Sequence, residues 1–536
     1  MRRTAARVAL ALAMVAIVPA ISSGDSAAAA TYAKVVFHGS RARPIVALTF
    51  DDGWTGSSAL RIARVLLAKD ASATFLPYGP AVWQSPAIFN WIAAQPGFEI
   101  ANHTATHDIL CRVTSSGCVS TGVSLSREIN GGRTIVAGLT GRRMLPVLRP
   151  PGGNRNEAVR AAAMAAGFPT IALWDVTAAD TAVRYARGVR RRMAKATSGS
   201  IVLAHMGPTT TMAALPSAID AIRAKGLRFV TMSQLLRIAR EPTLPVQDYS
   251  TGGFGPPGVG PRWQASEAID PTGARHLAWT SPDGVWYATD ASGDWVEEAI
   301  GTSTTGVSYY EQPSIALRSD GSPVVAMTLE GETATTIVIA SRGLEGWTSS
   351  PVPGQRGFAS APSIAVSDTG TSVAYREQGR WDPATRSWPD EGLYLASETG
   401  GSWKTQRISM EGADQSPSLA IDPTTHRPVV VFRARTTSGM LARGTYLAVR
   451  GATRWTYTKI SDRESYPSLR ISTSGRRYVL LSDAMSTRLT YGSARPGHAF
   501  SWRTIGHGLQ GSLVKPGCVV ATRTTDGRSA LEEIDF

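Results

Sequence analysis

A chain of 536 residues with 55 Lys and Arg against 41 Asp and Glu, a formal net charge of +14 and three cysteines leans on no disulfide framework. Its basicity is not that of a nucleic-acid reader, because no recognisable binding motif accompanies it. The charge is uneven: residues 31–240 hold 25 Lys and Arg against 10 Asp and Glu, a net of +15, while residues 241–536 hold 27 against 30, a net of −3.

Residues 1–30 open with Arg2, Arg3 and Arg7, continue through the apolar run 8–20 and end in the small residues 26–30, the pattern of a secretory signal peptide. Cleavage is expected near Ala28 to Ala30, and the apolar core is short for a membrane span; a retained N-terminal anchor is the alternative. Residues 44–50 are apolar and β-branched and read as a buried strand, which the Asp51-Asp52-Gly53 stop ends with both carboxylates at its C-terminal edge, where α/β folds keep their chemistry. Side chains alternate along a strand, so one of the two can hold a metal while its neighbour stays free.

Residues 59–69 read as an apolar-striped helix and 73–76 as a strand. The short run 97–101 delivers His103 and His107, whose four-residue spacing suits one face of a helical turn. One carboxylate and two imidazoles make a divalent-metal site with positions left for water. A turn and two loop histidines would be the bland reading, but three more pieces follow: Arg149-Pro150-Pro151-Gly152-Gly153, then Asp180, then Leu203-Ala204-His205. Residues 229–232 read as a last strand before a closing helix.

In this order the five motifs resemble the polysaccharide deacetylases of carbohydrate esterase family 4, whose catalytic unit is the NodB homology domain, over about residues 34–240. The resemblance implies an α/β fold, a distorted (β/α)7-type barrel, and a hydrolase acting on linear amides. It makes Asp51 the general base, Asp52, His103 and His107 the metal ligands, and Arg149 the partner that keeps Asp51 ionised. It makes the backbone N–H of Gly152 an oxyanion donor and puts Leu203 in the substrate pocket. His205 becomes the acid that protonates the departing amine, with Asp180 fixing its tautomer. Zinc is the expected ion; cobalt and nickel suit the same ligands. Two positions depart from the family pattern. Thr181 stands where a Trp would pack on the acid histidine, leaving His205 more solvated, and Gly152 replaces an aromatic, which suggests a wider groove.

Cys111 and Cys118 are expected to pair after export, which in the chain-entropy model would contribute about 2 to 3 kcal/mol; Cys518 reads as a buried thiol without chemistry. Arg184, Arg187, Arg190, Arg191, Arg192 and Lys195 fall on a helix, either as a solvated face or as an attachment to an anionic cell-wall polymer.

A Pro- and Gly-rich linker, 241–262, precedes a repeat. Pro-Ser-Ile or Pro-Ser-Leu recurs at Pro313, Pro362, Pro417 and Pro467, with a degenerate first copy at Ala265-Ser266 and a last at Pro516, at intervals of 48, 49, 55, 50 and 49 residues. Each unit reads as four strands, the fourth led by Trp295, Trp347, Trp403, Trp455 or Trp502. That period describes a β-propeller of five or six blades across 263–536, loosely similar to sialidase propellers. The once-per-blade tryptophans suit packing; Trp381 and Trp388 lie off the repeat and could pack locally or stack on sugars. Each half is expected to fold by itself. The whole reads as a secreted or cell-wall-associated, metal-dependent deacetylase of N-acetylated glycans such as peptidoglycan or a chitin-like polymer, its propeller binding glycan or a partner, with no nucleic acid and no membrane span after signal cleavage. An O-acetyl xylan esterase and a non-catalytic surface-binding protein are the alternatives.

Overall fold

The structure, a computed structural model, describes residues 31–53, 56–140, 144–239, 265–302, 308–331, 334–379, 391–409, 415–434, 441–483, 485–525 and 528–536. The expected signal peptide and linker lie outside the described residues, as do Trp381 and Trp388. No helix among the described residues is long and apolar enough to cross a membrane.

The first half runs β1 (Lys34–Val36), β2 (Ile45–Asp52), α1 (Gly56–Ala68), β3 (Ala73–Pro77), α2 (Gly79–Gln84), α3 (Pro86–Ala94), β4 (Phe98–Ile100), β5 (Cys111–Thr114), β6 (Gly117–Ser120), α4 (Leu125–Thr140), β7 (Val147–Leu148), α5 (Glu157–Ala165), β8 (Thr170–Ala172), β9 (Val176–Thr177), α6 (Ala186–Met193), β10 (Ile201–His205), α7 (Thr209–Arg223), β11 (Arg228–Phe229) and α8 (Met232–Leu236). β2 is buried along its whole length, as its mostly apolar run requires of a central parallel strand. It pairs with β10 on one side and β3 on the other, and β4 follows β3. A bridge from Asn102 to Leu148 carries the ring on to β7, β8 and β1, and one from His38 to Ser200 returns it to β10. This is the expected distorted barrel of parallel strands, closed at two seams by single bridges. Phe50, Phe75 and Phe98 pack in one buried cluster with Leu48, Leu60 of α1 and Ile219 of α7. The last strand is shorter than expected, since Met232 already belongs to α8.

The second half is a six-bladed propeller: five four-stranded antiparallel sheets and a sixth of three strands, each built from consecutive strands. The repeated serine explains the ring. Oγ of Ser266, Ser314, Ser363, Ser418 and Ser468 accepts the backbone N–H of Ile315, Ile364, Leu419, Leu469 and Leu513, each in the next blade, at 2.9 to 3.1 Å. So the sixth copy is Gly511-Ser512-Leu513 rather than Pro516, which falls after the strand Leu509–Lys515. Just ahead of the serines, Glu311, Ala361, Ser416 and Gln510 take left-handed φ of 52 to 67° where four innermost strands lose register, the mark of a β-bulge. Trp295, Trp347, Trp403, Trp455 and Trp502 pack against the blades' apolar clusters, as their periodicity suggested.

The two halves meet through apolar surface. Trp83 of α2, 5 % exposed, stacks on Tyr466 with ring centroids 4.2 Å apart, and its carbonyl accepts a hydrogen bond from Gln510 Nε2 at 2.6 Å. Leu509 belongs to the barrel's own core, with Tyr466 and Met485 packed against it. Arg61 of α1 pairs with the buried Glu330 at 2.7 Å. Trp83 and Gln84 thereby face the ring of serines at the mouth of the propeller channel. Truncating a buried tryptophan removes both transfer energy and packing, so Trp83→Ala is expected to lower the unfolding free energy by about 3 to 5 kcal/mol in urea titration; a loss under about 1 kcal/mol would show that this contact does not hold the halves together.

Candidate metal centre and acid–base pair

Register on two central strands assembles half of the site. In β2 and β10, Thr49 lies opposite Leu203 and Asp51 opposite His205, and the two-residue alternation turns all four side chains to one face. Asp51, 3 % exposed, accepts a hydrogen bond from Arg149 Nη1 at 2.7 Å. The guanidinium has no exposure. It also donates to Thr49 Oγ1 at 2.8 Å, to the Ala172 carbonyl at 2.8 Å and to the Leu173 carbonyl at 3.1 Å, and Trp174 lies 5.7 Å from it.

Asp52 breaks the alternation. Its φ of 74°, followed by Gly53 at 87°, swings its carboxylate toward the same centre as Asp51. Asp52 Oδ1 lies 3.2 Å from His103 Nε2 and 3.1 Å from His107 Nε2, yet it is buried without a hydrogen-bond partner. The three donor atoms lie within 4.8 Å of one another. His103 Nδ1 is 2.7 Å from the Arg149 carbonyl, which can only accept, so that nitrogen carries the hydrogen and Nε2 turns to the cluster. An orphaned buried carboxylate oxygen between two imidazole nitrogens fits a cation. The strain agrees: Asp52, Thr104 at 72° and His107 at 67° are all left-handed without being glycine, a cost that folds retain at functional sites.

The two histidines do not share a helical turn as their spacing suggested. They sit on a loop, shaped by Thr104 N–H to Asn102 Oδ1 at 2.9 Å, His107 N–H to Thr104 Oγ1 at 3.2 Å, and Thr106 N–H and Oγ1 to the Glu128 carboxylate at 2.9 Å. Burial works to raise the Asp52 pKa, but the His103 and His107 imidazoles more than offset it and hold the carboxyl well below the usual range. Burial likewise lowers His103, and the Asp51 and Asp52 charges beside it carry it upward; a divalent ion would take the place of that proton.

Facing this cluster, His205 Nδ1 is 2.8 Å from Asp180 Oδ1, while the His205 backbone N–H and Thr211 Oγ1 both donate to Asp180 Oδ2, at 2.7 and 2.5 Å. Burial depresses the His205 pKa, the Asp180 carboxylate raises it more, and the imidazole ends at about 9. Its side chain is 20 % exposed, and Thr181 is exposed as well. Gly152 sits in the turn Pro151–Gly153 with φ of 65°. A Cβ there would meet nothing nearer than 3.6 Å, so the backbone angle, not space, favours glycine. Leu203 is buried between Thr49 and Thr177 of the flanking strands. The Cys111–Cys118 disulfide is present, closing the β5–β6 hairpin just beyond His107; Cys518 is buried as expected.

Thus Asp51, Asp52, His103, His107, Arg149, Asp180 and His205 come together. The supporting polar side chains, Thr49, Asn102, Thr104, Glu128 and Thr211, were not anticipated. Thr49 gave one signal, a polar residue inside an otherwise apolar buried strand; the others sit in loops and helices without periodic pattern.

A family model described as polysaccharide deacetylase matches residues 38–171. The chain is 33 % identical over 198 residues to a peptidoglycan-N-acetylglucosamine deacetylase of Bacillus cereus, covering 36 % of this chain and 88 % of that one. To the peptidoglycan-N-acetylglucosamine deacetylase of Listeria monocytogenes it is 30 % identical, covering 35 % of this chain and 38 % of the relative. A peptidoglycan-N-acetylmuramic acid deacetylase of Bacillus subtilis is 28 % identical, with 37 % and 40 % covered. The chain therefore spans under half the length of these last two. Among solved structures, a peptidoglycan N-acetylglucosamine deacetylase is 28 % identical, covers 39 % of this chain and 95 % of that one, and has a TM-score of 0.35.

Removing one ligand of a three-ligand site should cost most of its affinity. Metal-loaded protein is expected to carry about one divalent ion per chain by atomic absorption, and His103→Ala or Asp52→Ala less than about a tenth of that after identical dialysis. Equal metal content in parent and variants would remove these residues from the ligand set.

Proposed function

The chain belongs to the polysaccharide deacetylase family, and on that premise we propose that it is a secreted, metal-dependent hydrolase that releases acetate from N-acetylated amino sugars of peptidoglycan. The observation that carries this reading is the register that sets Asp51, clamped by Arg149, opposite His205, clamped by Asp180, beside the Asp52, His103 and His107 cluster. A divalent ion held by those three ligands would supply a Lewis acid, polarising the acetyl carbonyl and making a water more acidic. We assign zinc, with cobalt or nickel as substitutes that the same donors accept.

The chain's own residues move the protons. Asp51 takes one from the attacking water, its carboxylate aimed by the paired guanidinium of Arg149. The Gly152 N–H is our assignment for the oxyanion donor, a role that needs backbone alone. His205 gives its proton to the departing nitrogen as the C–N bond breaks, leaving an amine and acetate. An amine leaves badly unprotonated, so an acid that stays charged to about pH 9 suits an amide more than an ester. Secretion rests on the signal-peptide pattern of residues 1–30, and the peptidoglycan assignment on the activities named for the relatives. A glycan- or partner-binding role for the propeller falls to surfaces away from the channel mouth that Trp83 covers.

Acetate release from N-acetylglucosamine oligomers, peptidoglycan and acetylated xylan tests the substrate class; release from xylan alone would replace the amide reading with an ester one. His205→Ala and Asp180→Ala are each expected to lower kcat by about 10² to 10⁴ with far less effect on binding. The folded-state pKa of His205 lies above its usual 6.5, so the charged acid is fully present below about pH 6.5 and lost as pH rises through about 9, together with the stability of its ion pair. The kcat profile should therefore fall on the alkaline side near pH 9, and Asp180→Asn should move that limb toward neutrality. An unmoved limb would take Asp180 out of the acid's control.

A further inference from the structure

Helix α6 carries Arg187, Arg190, Arg191 and Arg192, with Arg184 just ahead of it and Lys195 just after. All six side chains are exposed. Other surface cations on the same barrel have carboxylate partners, as Arg41 has Asp175 and Lys69 has Asp220, but among the described residues none of these six does. Lys225 adds a seventh charge where its Nζ reaches the carbonyls of Ala194 and Ala196 at the helix's C-terminal end.

Fold stability does not ask for this arrangement. Cations in the last turn complement the negative end of a helix, which accounts for Arg190, Arg191 and Arg192. Arg187 in the first turn and Arg184 before it meet the positive end instead, and no acidic residue stands in that turn. Arg187 also repels Arg190 and Arg191 at i,i+3 and i,i+4. The surrounding half of the chain, at +15 over residues 31–240, adds to the field rather than cancelling it.

We infer that the α6 face is a docking surface for a polyphosphodiester chain of the polyol-phosphate type. Guanidinium groups dominate the patch, and their planar forks match phosphate oxygens two at a time. The helix is about 12 Å long, room for successive phosphates rather than one ion. Single-stranded nucleic acid is the less suited polyphosphodiester, because it is held by bases stacked on aromatic faces; the patch has one exposed ring, Tyr185, and Arg187 lies over it at 5.4 Å. The patch begins four residues after Asp180, the partner of His205. A polymer held there would keep the enzyme at a polyanionic wall without entering its chemistry, raising local substrate concentration alone.

The test uses the full chain and immobilised polyglycerol phosphate, with Arg184→Gln/Arg187→Gln/Arg191→Gln as the variant. The parent is expected to bind at about 20 mM salt and to lose at least about tenfold in affinity by about 200 mM. The triple variant should bind about tenfold more weakly at low salt, release acetate from a soluble oligosaccharide at the parent's rate, and melt no lower than the parent, since like-charge repulsion has been relieved. No binding by the parent, or equal binding by the variant, overturns the inference; so does a variant that melts several degrees lower, which would make the patch structural. Polyglutamate or single-stranded DNA bound as tightly as polyglycerol phosphate at equal salt would overturn the commitment to this polymer.

Discussion

A guanidinium with no solvent exposure organises the site. Arg149 touches two strands at once: Thr49 and Asp51 on β2 and the carbonyl ending β8, with the Leu173 carbonyl just beyond it. Its own carbonyl fixes the ring of His103. Burying such a charge costs several kcal/mol unless its donors are met, and here Asp51 supplies the counter-charge while carbonyls and a hydroxyl take the remaining donors. The ion pair therefore does more than tune one carboxylate. It pins the loop after β7 to the central strands and, with the same residue, sets the tautomer of His103.

Arg149 also divides the labour between adjacent aspartates. Asp51 is neutralised by the guanidinium, whereas Asp52, turned by its left-handed backbone, keeps a buried oxygen that no protein donor satisfies. A strand that continued with normal angles would send the two carboxylates to opposite faces. Strain at Asp52 lets neighbours in sequence share one centre while holding different electrostatic states, one paired internally and the other left for a cation.

The chemistry-bearing residues were legible because the motifs name residue types that are costly to bury without purpose: paired aspartates after an apolar run, two histidines, an arginine before Pro-Pro. Their backbone was not. The spacing of His103 and His107 is compatible with a helix, and only side-chain bonds from Asn102, Thr104 and Glu128 dictate the loop that replaces it. The propeller shows the same division. Its period was plain because five blades repeat a serine that accepts the next blade's N–H, yet the last copy was misplaced at Pro516, since Gly511-Ser512-Leu513 keeps the leucine N–H that Ser468 accepts without the proline. The interface left no such trace: residues 241–262 describe only the connection, and nothing in them reports that Trp83 and Tyr466 are complementary elsewhere.

That interface bears on the site through position. α1 and α2 follow the C-terminal ends of β2 and β3, the edge that carries Asp51 and Asp52, and both helices contact the propeller, through Arg61 to Glu330 and through Trp83 to Tyr466. A third contact, Arg443 to Asp108 at 3.7 Å, reaches the residue after His107. Exposed pairs of that kind contribute little energy, but the buried contacts at α1 and α2 are of another order. Elements that must hold a strained turn at Asp52 are thus packed on both sides, by the barrel core within and by propeller blades without. Backbone strain persists only where the surroundings over-determine it, and here the second domain supplies part of that determination.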